Sequence, residues 1–478
     1  MSTDRPTIVW LRKDLRLKDN PALRAAAAAG PIVPLYIHEE HGPARALGDA
    51  SRWWLHGSLE ALASDLEKSG GRLILRRGAA ADVLTNLISE TNAKGVYWNR
   101  VYDAPSMKRD AAIKARLRDD GLDCRSFNAS LLNEPWTVKT ATGSDFRVFS
   151  PYWRTAKCLI VPPSRQGGFP PSLTFVTPRP LSEHLADWAL RPRSPDWSEG
   201  FAEWTPGEQG AQARLKAFLS GPLRGYAVNR NYPGEKGVSK LSPHLHFGEI
   251  GPRQVWAALH NVAQSESADS LEIFRNELGW REFNYYLLYN NANMPQENLN
   301  RSFPSIRWRH NPTEMRAWRR GRTGYPIVDA GLRQLWSSGW MHNRVRMIVA
   351  SFLVKHLLVD WRKGEAWFWD TLIDADLASN IGNWQWVAGC GADAAPYFRI
   401  FNPILQGQKF DPEGHYVRRW SPELARLPNS LIHSPWKASP SILADAGVKL
   451  GHSYPRPIVD HLQARDRALA AYKGLQHD

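Results

Sequence analysis

Cysteine is scarce: the 478 residues hold three, Cys124, Cys158 and Cys390, too few and too scattered to staple a fold. A disulfide scaffold is excluded, and a reducing, cytoplasmic setting is expected. No apolar run is long enough to cross a bilayer, and residues 1–6 lead into a strand-like segment without a signal-type apolar core. The chain is therefore expected to be neither membrane-bound nor exported. No G-x-G-x-x-G follows the first strand, where Trp10 runs into LRKDLR, so the ordinary dinucleotide fingerprint is missing and a nucleotide cofactor is expected elsewhere. Acidic residues are in deficit, 47 Asp+Glu against 61 Lys+Arg, for a formal charge of +14. A polyanionic partner suits such a surface. No internal repeat or low-complexity tract is visible beyond the alanines at 25–29.

With 43% hydrophobic and 23% charged residues, the chain is ordinary globular material, neither disordered nor collagen-like, and long enough for about three domains. Tryptophan is in excess: 22 in all, twelve of them beyond residue 270. That raises electron-transfer or nucleobase chemistry, although indoles also simply fill cores.

Residues 1–130 alternate β-type runs (7–10, 32–37, 73–75, 96–98, 124–127) with amphipathic stretches such as 53–69. A Rossmann-like parallel α/β domain is expected. Residues 131–205 carry repeated prolines and glycines and read as a long connecting segment. From 206 to 478 the period is mostly 3.6, at 211–219, 273–288, 329–336 and 343–359, which predicts a large all-helical domain.

Four stretches could carry chemistry. In FRNELGWREF at 274–283, helical spacing puts Glu277, Trp280, Arg281 and Asn284 on one face, which is also what an ordinary Glu–Arg pair beside a packing indole looks like. In GWMHNRVRM at 339–347, Asn343, Arg346, Met347 and Ala350 share a side. Arginines at a helix start oppose the macrodipole, so a compensating anion is expected: Asp374, Asp376 or a phosphate. In DADLASNIGNWQW at 374–386, two carboxylates and an amide precede Trp384 and Trp386. Asp374 and Asp376 invite a metal reading, but no further ligand falls at coordinating spacing, and no third and fourth ligand for a zinc falls near His244 and His246 in sequence, so no metal is expected. Finally, GVSKLSP at 237–243 offers hydroxyls, backbone donors and one cation, a set that suits a diphosphate and equally makes turns.

The stretches 340–347 and 374–386, with VWLRKDLR at 9–16, DNPAL at 19–23, TGYPIVDAG at 323–331 and the run 393–403, resemble the DNA photolyase and cryptochrome family, and the resemblance runs from end to end. The C-terminal run 458–472 is most similar to the bacterial class III photolyases that act on cyclobutane pyrimidine dimers. The resemblance implies light-driven repair of UV-damaged DNA: excited, fully reduced FAD donates one electron to the dimer, the ring splits, and the electron returns. It implies FAD held by Tyr226, Val238, Ser239, Lys240, Leu241, Ser242, Phe274, Glu277, Arg281, Asn343, Arg346, Asp374, Asp376 and Asn380, with Asn380 at flavin N5. The family commonly has Thr-Ser-Arg-Leu-Ser where this chain has Val238 to Ser242, and some relatives have Trp at Phe274. The substrate would meet Trp280 and Trp386 as apolar walls, Glu277 at the pyrimidine edges, and Asn343 and Met347 beside the lesion. Trp384, Trp361 and Trp308 match the family's electron relay.

Two rivals share the fold. A blue-light photoreceptor of cryptochrome type is disfavoured by Asn380 and by a helical pattern that runs to Tyr472. Repair of (6-4) photoproducts is disfavoured because Asn343 and Met347 stand where such relatives place histidines. The iron-sulfur branch needs four cysteine ligands. The class III resemblance favours 5,10-methenyltetrahydrofolate as antenna over 8-hydroxydeazaflavin, with no residues assigned to it. A monomer with no obligate protein partner is expected.

Overall fold

Five strands form one parallel sheet in the order β3-β2-β1-β4-β5: β1 (Thr7–Leu11), β2 (Ile32–His38), β3 (Ile74–Arg77), β4 (Gly95–Asn99) and β5 (Asp123–Phe127). The crossovers are α1 (Pro21–Ala29), α2 (Asp49–Lys68), α3 (Ala80–Thr91) and α4 (Ala104–Asp119). β1 and β4 are buried along their whole length, which is why they read as continuous apolar runs and not as alternation. Trp10 pairs in register with Leu35 on one side and Trp98 on the other, and these join Ile8, Val33, Leu84 and Val96 in the core. This computed structural model describes residues 5–161, 172–262, 267–301, 306–393 and 399–474.

The motif at 9–23 works as scaffold. Asp14 accepts from Arg12 N (2.6 Å), Asn20 Nδ2 (3.2 Å) and Asn99 Nδ2 (2.6 Å), while Asn20 caps α1 through Leu23 N. Arg16 is fully buried and donates to the carbonyls of Lys18, Asp19, Ala129 and Gly248. Such a charge persists in a core only when its donors are satisfied this completely.

The next helices are α5 (Phe149–Leu159), α6 (Glu208–Leu219), α7 (Tyr226–Asn229), α8 (Ser242–Phe247), α9 (Pro252–Asn261) and α10 (Ala268–Asn290). Residues 131–205 thus hold a true helix, α5, within what the prolines and glycines marked as connection. Its buried face, Phe149, Tyr152, Trp153 and Ala156, follows the i, i+3, i+4, i+7 spacing of an amphipathic turn. Gly279 of α10 lets the Trp153 indole approach closely, since a Cβ there would lie 2.6 Å from the ring.

Then come α11 (Pro312–Arg319), α12 (Pro326–Ser338), α13 (Asn343–Ser351), α14 (Trp361–Thr371), α15 (Leu377–Ala388), α16 (Pro403–Phe410), α17 (His415–Trp420), α18 (Pro440–Ala446) and α19 (His461–Gly474). The helical pattern expected over 343–359 is broken: α13 ends at Ser351, a π-helical turn covers Phe352–His356, and Leu358 takes a left-handed φ of 50°. Apolar periodicity does not distinguish an i+4 from an i+5 ladder over five residues. In the motif at 323–331, Asp329 accepts from Thr323 N and Oγ1 (2.6 and 2.7 Å), Gly324 N (3.0 Å) and Tyr454 Oη (2.7 Å). Gly324, at φ 82°, lies so near Pro457 that a Cβ would sit 2.4 Å from its nitrogen.

The described residues divide into two compact units. One comprises Met1–Asp196, Trp204–Gly221 and Ser239–Ala292, and the other Trp197–Glu203, Pro222–Val238 and Asn293–Asp478. Residues 206–478 are therefore split, with α6 and α8 to α10 in the sheet-containing unit and α7 and α11 to α19 in the helical one. Among the described residues, no helix is long and apolar enough to cross a membrane.

Candidate functional site

In the sheet-containing unit, α10 carries Phe274, Glu277, Trp280 and Arg281. Ser267 caps its start by accepting from Ser270 N. Phe274 is buried against Phe218, ring centroids 4.6 Å apart. Trp280 lies flat on Phe149 of α5, ring centroids 3.8 Å apart with 9° between planes, and aromatic pairs contribute about 0.5–1.5 kcal/mol beyond area burial. The indole plane is thereby fixed. Arg281 does not pair with Glu277 in the i, i+4 manner: its Nη1 donates to Ser130 O (2.7 Å), and its guanidinium lies over Tyr285. Behind it, Glu282 accepts from Leu132 N (2.8 Å) and Asn133 N (3.2 Å), and burial raises its carboxyl to about 7. Glu277 stays half-buried on the same helix.

The same unit holds Ser239 to Ser242. Lys240 adopts a left-handed φ of 52°, and its ammonium lies 5.2 Å from the Trp204 ring centroid. Leu241 is buried and its N–H donates to Ser239 Oγ at 3.4 Å. A non-glycine residue held at positive φ costs about 1–3 kcal/mol and tends to mark sites where backbone is shaped for a ligand.

In the helical unit, Tyr226 is buried in α7 and Val238 half-buried. The anion that the basic start of α13 demanded is Asp374. Arg346 Nη2 reaches both its oxygens (2.8 and 3.0 Å), and Arg346 Nε donates to Met341 O (2.7 Å). Asp374 is buried, so removal of Arg346 would strand a charge at a cost of about 3–5 kcal/mol. Asp376 follows directly, its N–H on Asp374 O and its side chain capping α15 through Ser379 N (2.9 Å). One turn on, Asn380 Nδ2 donates to Glu365 Oε1 (2.8 Å) and Glu365 O (3.2 Å). Both partners are acceptors, which settles the amide orientation and directs Oδ1 away from Glu365. Asn343 is exposed and Met347 half-buried on α13.

Trp384 and Trp361 are buried, Trp308 half-buried. Trp384 meets Phe368 (centroids 5.0 Å) and Trp318 (6.5 Å), while Trp361 Nε1 donates to Asn298 Oδ1 (2.8 Å). Trp386 is half-buried, and its Nε1 donates to Asp393 O (3.1 Å). Of the run 393–403, residues 394–398 lie outside the described residues.

The helical unit thus joins Arg346, Asp374, Asp376 and Asn380 in one hydrogen-bonded series, and α10 presents Phe274, Glu277, Trp280 and Arg281 within the other unit. Glu365, Glu282, Phe149 and Trp318 were not found by sequence reasoning. No local spacing links them to the residues they hold, and only the crossing of distant helices does. Among the described residues, no three His, Cys, Asp or Glu side chains gather as a metal site.

A family model described as the FAD binding domain of DNA photolyase matches residues 274–474, and one described as DNA photolyase matches 7–167. A deoxyribodipyrimidine photo-lyase of Agrobacterium fabrum is 54% identical over 474 residues, 98% of each chain. Cryptochrome-1 of Arabidopsis thaliana is 40% identical over 474 residues, 96% of this chain and 69% of that one. The crystal structure of a bacterial class III photolyase from Agrobacterium tumefaciens superposes with a TM-score of 0.97 at 53% identity, covering 100% of this chain and 99% of that one.

Proposed function

The chain belongs to the DNA photolyase and cryptochrome family, and we propose that within it the protein is a class III photolyase, a deoxyribodipyrimidine photo-lyase. It is a light-driven DNA repair enzyme that binds FAD and splits cyclobutane pyrimidine dimers in UV-damaged DNA. The observation that carries this is the 54% identity, over 98% of both chains, to a protein of that activity.

The donor set fits a flavin. Asn380, its Nδ2 committed to Glu365, offers an acceptor oxygen, the group that the N–H at N5 of a reduced flavin requires. Arg346, neutralised by Asp374, supplies a cation without adding net charge, and Asp376, Asn343 and Tyr226 complete the helical unit's contribution. Phe274, Glu277 and Arg281 of α10 are further flavin residues, as is Val238, and Ser239, Lys240, Leu241 and Ser242 carry hydroxyls and backbone N–H groups of the kind a diphosphate takes. Reduced FAD, when bound, supplies the electron on excitation and accepts it back, while the protein binds, orients and excludes water.

The dimer must leave the duplex, and flipping costs a few kcal/mol, less for a lesion already unstacked. Trp280, backed by Phe149, and Trp386, tied to Asp393, are rigid indole faces that return about 1–3 kcal/mol per stacked base. Glu277 hydrogen-bonds the pyrimidine edges, with Asn343 and Met347 beside the lesion. Trp384, Trp361 and Trp308 relay electrons to oxidised flavin. The antenna is 5,10-methenyltetrahydrofolate in preference to 8-hydroxydeazaflavin. The enzyme acts as a cytoplasmic monomer without an obligate protein partner.

The test compares dimer-containing and (6-4)-containing oligonucleotides with reduced protein under blue light and in darkness. Light-dependent loss of the dimer alone is expected. Loss of the (6-4) product alone would move the protein to the sister activity.

A further inference from the structure

Lys355 is an anomaly in the helical unit. It lies in the π-helical turn Phe352–His356 and is 1% exposed, in a stretch where every neighbour from Ser351 to Val359 is buried. An apolar residue of similar length would fill that place without desolvating an amine. Burial pulls its amine down to about 7, so near neutrality the cost of a buried charge is largely relieved while the N–H donors remain.

Those donors have a defined task. Lys355 Nζ donates to the carbonyl of Arg399 at 2.9 Å, and four residues earlier Ser351 Oγ accepts from Phe401 N at 3.4 Å. The Arg399 guanidinium lies over the Phe401 ring at 5.0 Å. Ser351, Lys355, Arg399 and Phe401 line a small cavity whose other side is Trp386. Trp386 is itself tied through Nε1 to Asp393 O, and Asp393 takes a left-handed φ of 55°. The backbone at Arg399 and Phe401, which lines this cavity together with Trp386, is therefore hung from one buried amine and one hydroxyl of consecutive helical turns. The amine belongs to a π-helical turn, a feature frequently placed at functional sites.

We infer that Lys355 is a positioning residue for Trp386: by holding the Arg399 carbonyl it sets the surface that fixes this indole as a substrate wall. The inference rests on the assignment of Trp386 to the substrate. Lys355 touches neither the dimer nor the flavin. Its effect falls on dimer binding and not on the electron-transfer step, because a wall free to rock costs stacking geometry while Arg346, Asp374 and Asn380 stay in place.

The test is steady-state repair by the full-length, FAD-loaded, reduced protein bearing Lys355→Met, Ser351→Ala or Trp386→Ala, with flavin content and thermal midpoint recorded for each. In K355M, KM for a dimer-containing oligonucleotide should rise about five-fold, the scale of one lost hydrogen bond. Its kcat and flavin content should match the parent. S351A should raise KM in the same direction by a smaller factor, and it carries the test if K355M does not fold. An unchanged KM in folded K355M and S351A, beside a raised KM in W386A, would overturn the inference while leaving Trp386 as a substrate residue. An unchanged KM in W386A would remove the assignment on which the inference rests. Equal falls in kcat and flavin content for K355M would also overturn it, making Lys355 a general core residue.

Discussion

Asn380 depends on Glu365 for its orientation, and that dependence can be measured. Asn380→Asp would set two carboxylates where a 2.8 Å amide–carboxylate bond now stands, and burial forbids both from ionising. N380D should therefore lose about 3 kcal/mol in urea unfolding, with a loss that shrinks toward low pH, where the carboxyls of the unfolded chain are protonated as well. Parental stability at neutral pH would show that Glu365 does not hold this side chain. At Trp384, substitution by Phe should abolish photoreduction of oxidised flavin yet leave dimer splitting by chemically reduced protein intact. Unchanged photoreduction would remove Trp384 from the relay. The pairing of Arg346 with an anion was legible because a basic helix start opposes the macrodipole, and Asp374 was one of three candidates. Glu365 was not legible: it lies 15 residues from Asn380 on another helix, and no periodicity connects the two.

At the scale of elements, the π-helical turn between α13 and α14 presents Lys355 to one neighbourhood and His356 to another. His356 Nε2 shares a hydrogen bond of 2.9 Å with Nδ1 of His461, the first residue of α19, and Arg467 of the same helix donates to the His356 carbonyl. Burial, followed by the nearby charges of His461, Arg467 and Lys355, depresses His356 to about 3. The unfolded chain thus binds a proton near pH 6.5 that the folded chain refuses until about pH 3. Stability from this neutral ring is present above the unfolded value and is lost as pH falls below it. The thermal midpoint should drop between pH 6 and 4, and His356→Leu should flatten that part of the profile; an identical slope in both proteins would contradict the assignment. The helices expected at 273–288 and 329–336 are there, as parts of α10 and α12. α5 carries an amphipathic spacing at Phe149, Tyr152, Trp153 and Ala156 that the surrounding prolines and glycines obscure, whereas the π-helical turn leaves the apolar pattern unchanged and cannot be read from periodicity.

For the whole molecule, charge and fold point to the same substrate. The formal +14 includes 15 Lys+Arg against 9 Asp+Glu in residues 271–370, 13 of the 15 being Arg. Contacts that the exposed members of this set make with phosphate would be independent of sequence and release counterions. The logarithm of the affinity for dimer-containing duplex should fall linearly with the logarithm of salt concentration, by roughly 0.9 per phosphate contact, with the same slope in different flanking sequences. A slope near zero would place recognition in the lesion pocket alone. The measurement that reaches the central claim most directly is an action spectrum: dimers lost per photon absorbed, wavelength by wavelength, for reduced protein bound to a dimer-containing oligonucleotide. Repair should vanish in darkness and follow the absorption of the bound reduced flavin, with any second near-UV band marking the antenna. Full flavin occupancy and undiminished absorption with no loss of dimers at any wavelength would contradict it.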